Sequence, residues 1–179
     1  MKLSHFSPTR ITSVRSVEQS PLPDMKPRGL WVSVDGKDDW PSWCKSERFG
    51  PIGAGRHVFR YRVDVDLSRV LHLDTAAAVM RFNDEYVREK LAGKFPGLPE
   101  SPFKLSIWID WSAVAAKYAG IIIAPYQWAR RLELMWYYGW DCASGCIWDA
   151  AAVRSISVIR QRRPSRTRAV STARRSRSR

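Results

Sequence analysis

The uneven distribution of charge decides which part of this chain can fold. Residues 154–179 contain ten arginines and no acidic residue, and residues 160–179 are almost wholly Arg, Ser, Thr, Pro and Ala. Such a segment has too few apolar groups to offset the conformational entropy that folding removes. We therefore expect a folded domain over residues 1–159, followed by a disordered basic tail over residues 160–179.

The part of the chain before residue 154 has the composition of an ordinary globular domain. It holds 20 basic and all 17 acidic residues, a net charge of +3, whereas the whole chain has a net charge of +13. Apolar residues make up 45% of the chain, which is enough for a core. The longest apolar run, residues 118–126, is too short to cross a bilayer, and no apolar signal sequence begins the chain. We therefore expect a cytoplasmic protein without membrane contact.

The three cysteines indicate neither a disulfide framework nor a metal site. Their number is odd, and Cys44 lies about a hundred residues before Cys142 and Cys146. No nearby histidine completes a tetrahedral ligand set. The chain also has no Walker loop, no His-Glu-x-x-His motif and no Cys-x-x-Cys motif. We expect no metal, a reducing compartment, and buried cysteines that fill space.

The basic tail indicates one class of partner. Arginines without acidic neighbours attract phosphate groups and release counterions, which gives affinity for nucleic acid without sequence specificity. A solubilising or processed end with no dedicated partner fits the same composition. The arginines in question are Arg160, Arg162, Arg163, Arg166, Arg168, Arg174, Arg175, Arg177 and Arg179.

Short strands and helices alternate over residues 1–159, which predicts a mixed α+β domain. Alternating or wholly apolar stretches bounded by turn residues indicate strands. Apolar residues at helical spacing indicate helices, one of which is expected to be capped by Thr75. The predicted strands are residues 1–6, 29–34, 57–65, 67–73, 121–124, 131–138, 146–148 and 153–159, and the predicted helices are residues 39–46, 76–91 and 109–118.

Several short motifs follow one another over almost the whole predicted domain. They are LSHFSP at residues 3–8, KPRGLWVS at residues 26–33, YRVDVD at residues 61–66, VLHL at residues 70–73, YAGIII at residues 118–123, CIWD at residues 146–149 and VRSI at residues 153–156. Their order and spacing resemble those of the ADP-ribosyltransferase-like families. The compact phage and bacterial members, which begin with a similar His-Ser/Thr-Pro step, are the nearest.

The resemblance implies a fold, a reaction and a substrate. The fold would consist of split mixed or antiparallel β-sheets with flanking short helices. The reaction would be NAD-dependent transfer of ADP-ribose to a host macromolecule, a protein or a nucleic acid, with NAD as substrate. A phage-encoded member would act in the host cell cytoplasm. Loss of nicotinamide creates an oxocarbenium-like ribose, so the enzyme must hold the dinucleotide bent and place a carboxylate or another acceptor beside it.

The resemblance also implies which residues bind NAD. His5, in the first strand, would hydrogen-bond the adenosine-side ribose, and it is also an expected catalytic residue. Ser7, the small hydroxyl residue that follows, would help to bind NAD. Trp31 would offer a flat face to nicotinamide. Ser33 would either hold the second strand in place or hydrogen-bond the carboxamide.

The late strand of these families begins with an acidic residue or glutamine, and this chain departs from that pattern. Residues 141–145 read DCASG, without glutamate or glutamine. Asp141 is the candidate for the acid, and Ser144 is the position that matches better by spacing. Both are therefore candidate catalytic residues. A buried Asp141 needs a partner, for which Arg130 and Arg131 are available.

A non-catalytic accessory protein that binds nucleic acid or protein fits other features of the chain. Such a protein would use the basic tail and an aromatic cluster for its contacts. We first expect this cluster to be buried in the core; the alternatives are a protein-binding patch or a platform on which bases stack. The enzyme is favoured if Asp141 faces the same cleft as His5 and Trp31. The aromatic cluster consists of Trp128, Trp136, Tyr137, Tyr138 and Trp140.

Overall fold

The computed structural model describes residues 1–88 and 108–159. It confirms the mixed α+β class, whereas the predicted tail, residues 160–179, lies outside the described residues. The strands are β1 (Leu3–Ser7), β2 (Leu30–Val34), β3 (Phe59–Val65), β4 (Val70–Leu73), β5 (Gly120–Ile123), β6 (Ser144–Ile147) and β7 (Val153–Val158), and the α-helices are α1 (Trp40–Ser46), α2 (Gly50–Gly53), α3 (Ala76–Tyr86), α4 (Trp111–Ala115) and α5 (Met135–Tyr138).

The seven strands form one mixed sheet in the order β4-β5-β6-β2-β1-β3-β7. Neighbouring strands are antiparallel except β4 and β5, which run parallel. A parallel pair needs a long crossover, and here the chain between β4 and β5 includes helices α3 and α4. The central strands β5 and β6 are buried over their whole length.

The junction between β1 and β2 is short. It consists of Leu3 opposite Val34 and Ser4 opposite Ser33, whereas β1 pairs with β3 along its whole length. The strict expectation of split sheets is therefore wrong, because this ladder joins the groups β4-β5-β6-β2 and β1-β3-β7 into one sheet. The pairing of β1 with β2 nevertheless ends before His5, at the centre of the sheet.

Aromatic side chains on three helices share one core with the buried strands. The rings of Phe82, Trp111 and Trp136 lie 5.3 to 6.2 Å apart, centroid to centroid. Trp111 Nε1 donates a hydrogen bond to the Asp24 carbonyl at 2.9 Å, and Trp136 Nε1 donates one to Asn83 Oδ1 at 3.1 Å. These buried indoles therefore have partners for their N–H groups.

The aromatic cluster predicted near the late strand divides between core and surface. Trp136, Tyr137 and Trp140 are buried, as first expected. Trp128 and Tyr138 keep 55% and 45% of their surface exposed. The cluster is therefore mainly a wall of the core, with two side chains at its outer edge.

Helix α3 begins where the sequence predicts but ends earlier than residue 91. Thr75 caps its first turn through its side chain. The chain leaves the helix after Tyr86 because Val87 forms a β-bridge with Ile109, which was itself predicted as a helix residue. Residues 89–91 lie outside the described residues.

The strand predicted over residues 131–138 is wrong, because α5 occupies the end of this segment. Trp136 and Tyr137 are adjacent in sequence and both completely buried. Successive side chains of a strand point to opposite faces, so a helical turn buries this adjacent pair on one side. Aromatic residues are common in strands because their side chains pack well there, more than because their backbone prefers the extended conformation. Here a helix packs these side chains into the core instead.

Candidate functional site

A cleft of about 310 Å³ opens where β1 and β2 part. Five of the six residues that the sequence singled out line it: His5, Trp31, Ser33, Asp141 and Ser144. They come from β1, β2, β6 and the loop before β6. Asp141 therefore lines the same cleft as His5 and Trp31, which is the arrangement expected for the enzyme rather than for the non-catalytic binding protein.

Burial and one backbone hydrogen bond across to β2 determine the protonation of His5. Its Nδ1 atom lies 2.6 Å from the Trp31 carbonyl oxygen, which can only accept a hydrogen bond. Nδ1 therefore carries a proton, and in the neutral imidazole the lone pair is on Nε2. Burial lowers the pKa of His5, although the hydrogen bond to Trp31 opposes this change. At neutral pH His5 thus offers the cleft a hydrogen-bond acceptor.

Trp31 forms an aromatic side of the cleft together with Trp140. The two rings meet edge to face at a centroid distance of 5.0 Å, and Trp140 is buried. Lys26 Nζ lies 5.3 Å from the centroid of the Trp31 ring. Gly139 leaves room for this lysine, because a Cβ atom at that position would lie 2.9 Å from Lys26 Cε. The indole of Trp31 thus contacts the Trp140 ring, and the Lys26 ammonium lies over one of its faces.

Asp141 combines a strained backbone with a half-buried carboxylate. Its φ angle is +59°, in the left-handed region that residues other than glycine seldom occupy, although aspartate, asparagine and histidine occur there more often than the others. Burial raises the pKa of the Asp141 carboxyl, and the positive charges of Lys26 and Arg131 oppose this rise. Arg131 Nη2 lies 3.5 Å from Asp141 Oδ1, whereas Arg130 pairs with Glu133. Of the two expected partners, Arg131 is the one in contact.

Ser33 and Ser144 lie opposite each other on β2 and β6, and both are buried. Ser33 Oγ accepts a hydrogen bond from the backbone N–H of Trp40 at 2.9 Å. Ser144 Oγ donates one to the Cys142 carbonyl at 3.0 Å. The hydrogen bond between Ser33 and Trp40 connects the first residue of α1 to β2. It matches the expectation that Ser33 holds the second strand in place.

Ser7 is the predicted NAD-binding residue that does not line the cleft. It is the last residue of β1, and its hydroxyl accepts a hydrogen bond from the Thr9 N–H at 3.2 Å. His5 is two residues before Ser7 on the same strand, so the two side chains point to the same face of β1. Only His5 lies close enough to line the cleft. Ser7 therefore lies on the same strand as His5 but outside the cleft.

Lys26 and Trp40 are among the cleft residues to which the sequence assigned no role. Lys26 lies in the KPRGLWVS motif, before the strand that this motif predicts. Trp40 is the first residue of α1. Neither position carries a local signal of function, because their proximity to Asp141 and His5 depends on how distant segments pack.

The cysteines of the described residues are buried and unpaired. Burial raises the pKa of Cys44 to about 11 and that of Cys142 to about 12. Thiols with such pKa values are not nucleophiles at neutral pH. Within residues 1–88 and 108–159, no group of three or more His, Cys, Asp or Glu side chains is arranged to hold a metal ion, and no helix is long and apolar enough to cross a membrane.

Comparison with known proteins yields no match: no family model, no curated protein and no solved structure is significantly similar to this chain. The nine tail arginines proposed to contact nucleic acid lie outside the described residues. Function is therefore inferred from the cleft itself and from the ordered motifs.

Proposed function

We propose that this protein transfers ADP-ribose from NAD to a host macromolecule and that the cleft binds the nicotinamide ribose. The observation that carries the proposal is the convergence of His5, Trp31 and Asp141 on one cleft. These residues are far apart in sequence. His5 and Trp31 lie in motifs that resemble those of the ADP-ribosyltransferase-like families, and Asp141 is the acidic residue nearest to the place where those families carry an acid or glutamine. His5 on β1 and Trp31 on β2 line this cleft beside the point where the pairing of β1 with β2 ends.

The proposed binding mode follows from the chemistry of each side chain. The nicotinamide ring stacks on Trp31, whose orientation is fixed by Trp140. A ribose hydroxyl donates a hydrogen bond to Nε2 of His5, which is available because Nδ1 is bound to the Trp31 carbonyl. The cleft volume of about 310 Å³ lies at the lower end of the range for small-molecule sites, which is roughly 300–1,000 Å³. Part of the dinucleotide therefore extends beyond the cleft.

The proposed reaction breaks one bond and forms another at C1′ of the ribose. The C–N bond to nicotinamide breaks, and its electron pair leaves with neutral nicotinamide. Positive charge develops on the ribose, where the carboxylate of Asp141 stabilises it. An oxygen or nitrogen atom of the acceptor then bonds to C1′, and its proton passes to Asp141. The raised pKa of this carboxyl makes it a better base than an ordinary aspartate.

The proposal is tested by measuring nicotinamide release from NAD by the purified protein, with a bacterial lysate as the source of acceptor. We expect release by the wild type and strongly reduced release by His5→Ala. His57→Ala is the matched control, because His57 is exposed and does not line the cleft. Absence of release, together with no shift of the melting temperature by NAD, would show that the proposed function is wrong.

A further inference from the structure

A second aromatic group borders the cleft, separate from the core. Trp40 lines the cleft, Trp43 stacks on it, and Phe49 contacts both; we refer to these three residues as the aromatic wall. None of the three belongs to the hydrophobic core of the described residues. Three large rings outside the core leave apolar surface in water, which suggests a use other than stability.

Two rings of the aromatic wall, those of Trp40 and Trp43, are stacked nearly parallel. The Trp40 and Trp43 rings are 5.0 Å apart with an angle of 16° between their planes. Phe49 meets Trp40 at 5.8 Å and Trp43 at 5.2 Å, both at steep angles, and keeps 51% of its surface exposed. Stacking is the geometry in which an indole also receives the flat ring of a nucleobase.

Hydrogen bonds fix the aromatic wall relative to the floor of the cleft. Asp39 caps α1 by accepting a hydrogen bond from the Ser42 N–H at 2.9 Å. The Trp40 N–H donates to Ser33 Oγ on β2, two residues from Trp31. One short strand thus carries Trp31 and anchors the backbone of Trp40, which bears the first ring of the wall. A preformed wall lowers the entropy lost when a ligand stacks on it.

We infer that the aromatic wall is a purine-binding subsite of the cleft, with the base stacked on Trp40. The inference rests on the proposed function, because that function makes a dinucleotide the ligand. The dinucleotide has two ring systems. The nicotinamide is assigned to Trp31, and the purine is assigned to Trp40, the other partly exposed indole that lines the cleft. Lys26, the one cation among the lining residues described, supplies positive charge for the phosphates between the two rings.

The first test compares two ligands on the wild-type full chain by isothermal titration calorimetry. AMP and ribose 5-phosphate share the sugar and the phosphate, so their difference reports the base alone. We expect AMP to bind roughly tenfold or more tightly than ribose 5-phosphate, as stacking of one base implies. Equal affinities, or no binding of AMP, would overturn the inference without any variant being needed.

The second test assigns the base to Trp40. In Trp40→Ala we expect the affinity for AMP to fall to that for ribose 5-phosphate, whereas Trp40→Phe, which keeps a ring, should retain part of the difference. Trp128→Ala is the matched control, because Trp128 is exposed and does not line the cleft, and it should bind AMP like the wild type. An unchanged preference for AMP in folded Trp40→Ala would overturn the inference. Circular dichroism of each variant establishes that it is folded.

Failure of this inference and failure of the proposed function give different results. Nicotinamide release that depends on His5, without any preference for AMP, would retain the transferase and reject the purine subsite. A preference for AMP that depends on Trp40, without nicotinamide release or an effect of NAD on the melting temperature, would retain the subsite and reject the transferase.

Discussion

Asp141 occupies a position that a residue chosen for stability alone would not favour. Its backbone is in the left-handed region, where glycine is accommodated without strain, and burial raises the pKa of its carboxyl. A carboxylate maintained under both conditions is typical of functional sites. Arg131 and Lys26 reduce the electrostatic cost but do not remove it.

Replacing Asp141 by asparagine should therefore separate stability from activity. A raised folded-state pKa means that the ionised carboxylate is less favourable in the folded protein than in the unfolded chain, at any pH well above its ordinary value of 3.8. We expect Asp141→Asn to melt at the same temperature as the wild type or higher at pH 7, while nicotinamide release falls by roughly 100-fold or more. Asp64→Asn, at an exposed position of β3, should change neither property. Retained release in Asp141→Asn would exclude a role in the chemical step.

The lowered pKa of His5 predicts that the free energy of unfolding depends on pH. Because its folded-state pKa is lowered, the unfolded chain takes up a proton first, near the ordinary value of 6.5. The free energy of unfolding should then decrease as the pH falls below 6.5, until the folded protein is protonated as well. We expect thermal melts between about pH 7.5 and 5.5 to show a larger loss in the wild type than in His5→Gln, which does not titrate. Parallel curves for the two proteins would contradict the buried neutral state of His5.

At the level of elements, local signals predict beginnings better than ends. Thr75 and Asp39 both cap helices that the sequence located, because a capping side chain acts within its own turn. The end of α3 depends on the bridge between Val87 and Ile109, which no local pattern encodes. The same reason explains the error at α5, whose adjacent buried aromatic residues are arranged by the core.

Strand β6 supplies the next prediction, since it lies between β2 and β5 with little space. A Cβ atom at Gly145 would lie 2.4 Å from the Ile121 carbonyl oxygen and 2.6 Å from Ile122 Cγ1. We expect Gly145→Ala to reduce the free energy of unfolding by about 1–3 kcal/mol, measured by urea denaturation. Ser155→Ala, at an exposed position of the edge strand β7, should change it by less than about 0.5 kcal/mol. An unchanged free energy of unfolding in Gly145→Ala would show that β5 and β6 leave room for a methyl group at this position.

At the level of the whole molecule, the candidate site depends on both groups of strands in the sheet. His5 comes from β1, whereas Trp31, Ser33 and Ser144 come from the other group. Ordered motifs identified these residues because each lies in or beside a strand with a recognisable pattern. Lys26 and Trp40 were missed because they become part of the site only when the chain packs around the junction of β1 and β2.

Deletion of residues 160–179 separates the activity of the cleft from nucleic-acid binding by the tail, which is the basis of the alternative function. The deletion removes nine arginines and no acidic residue, which lowers the net charge from +13 to +4. Counterion release makes such binding dependent on salt, with a slope of about −0.7 per phosphate contact on single strands. We expect the truncated chain to bind a labelled single-stranded DNA oligonucleotide more weakly and with a shallower salt dependence, as measured by fluorescence anisotropy.

Nicotinamide release with water as the acceptor should be the same in the truncated and the full-length chain, because the cleft residues all precede residue 160. Unchanged DNA affinity after the deletion would show that the tail does not bind nucleic acid. If the truncated chain keeps its melting temperature but loses release, the tail takes part in the reaction, and the folded domain alone would then be insufficient for the transfer of ADP-ribose.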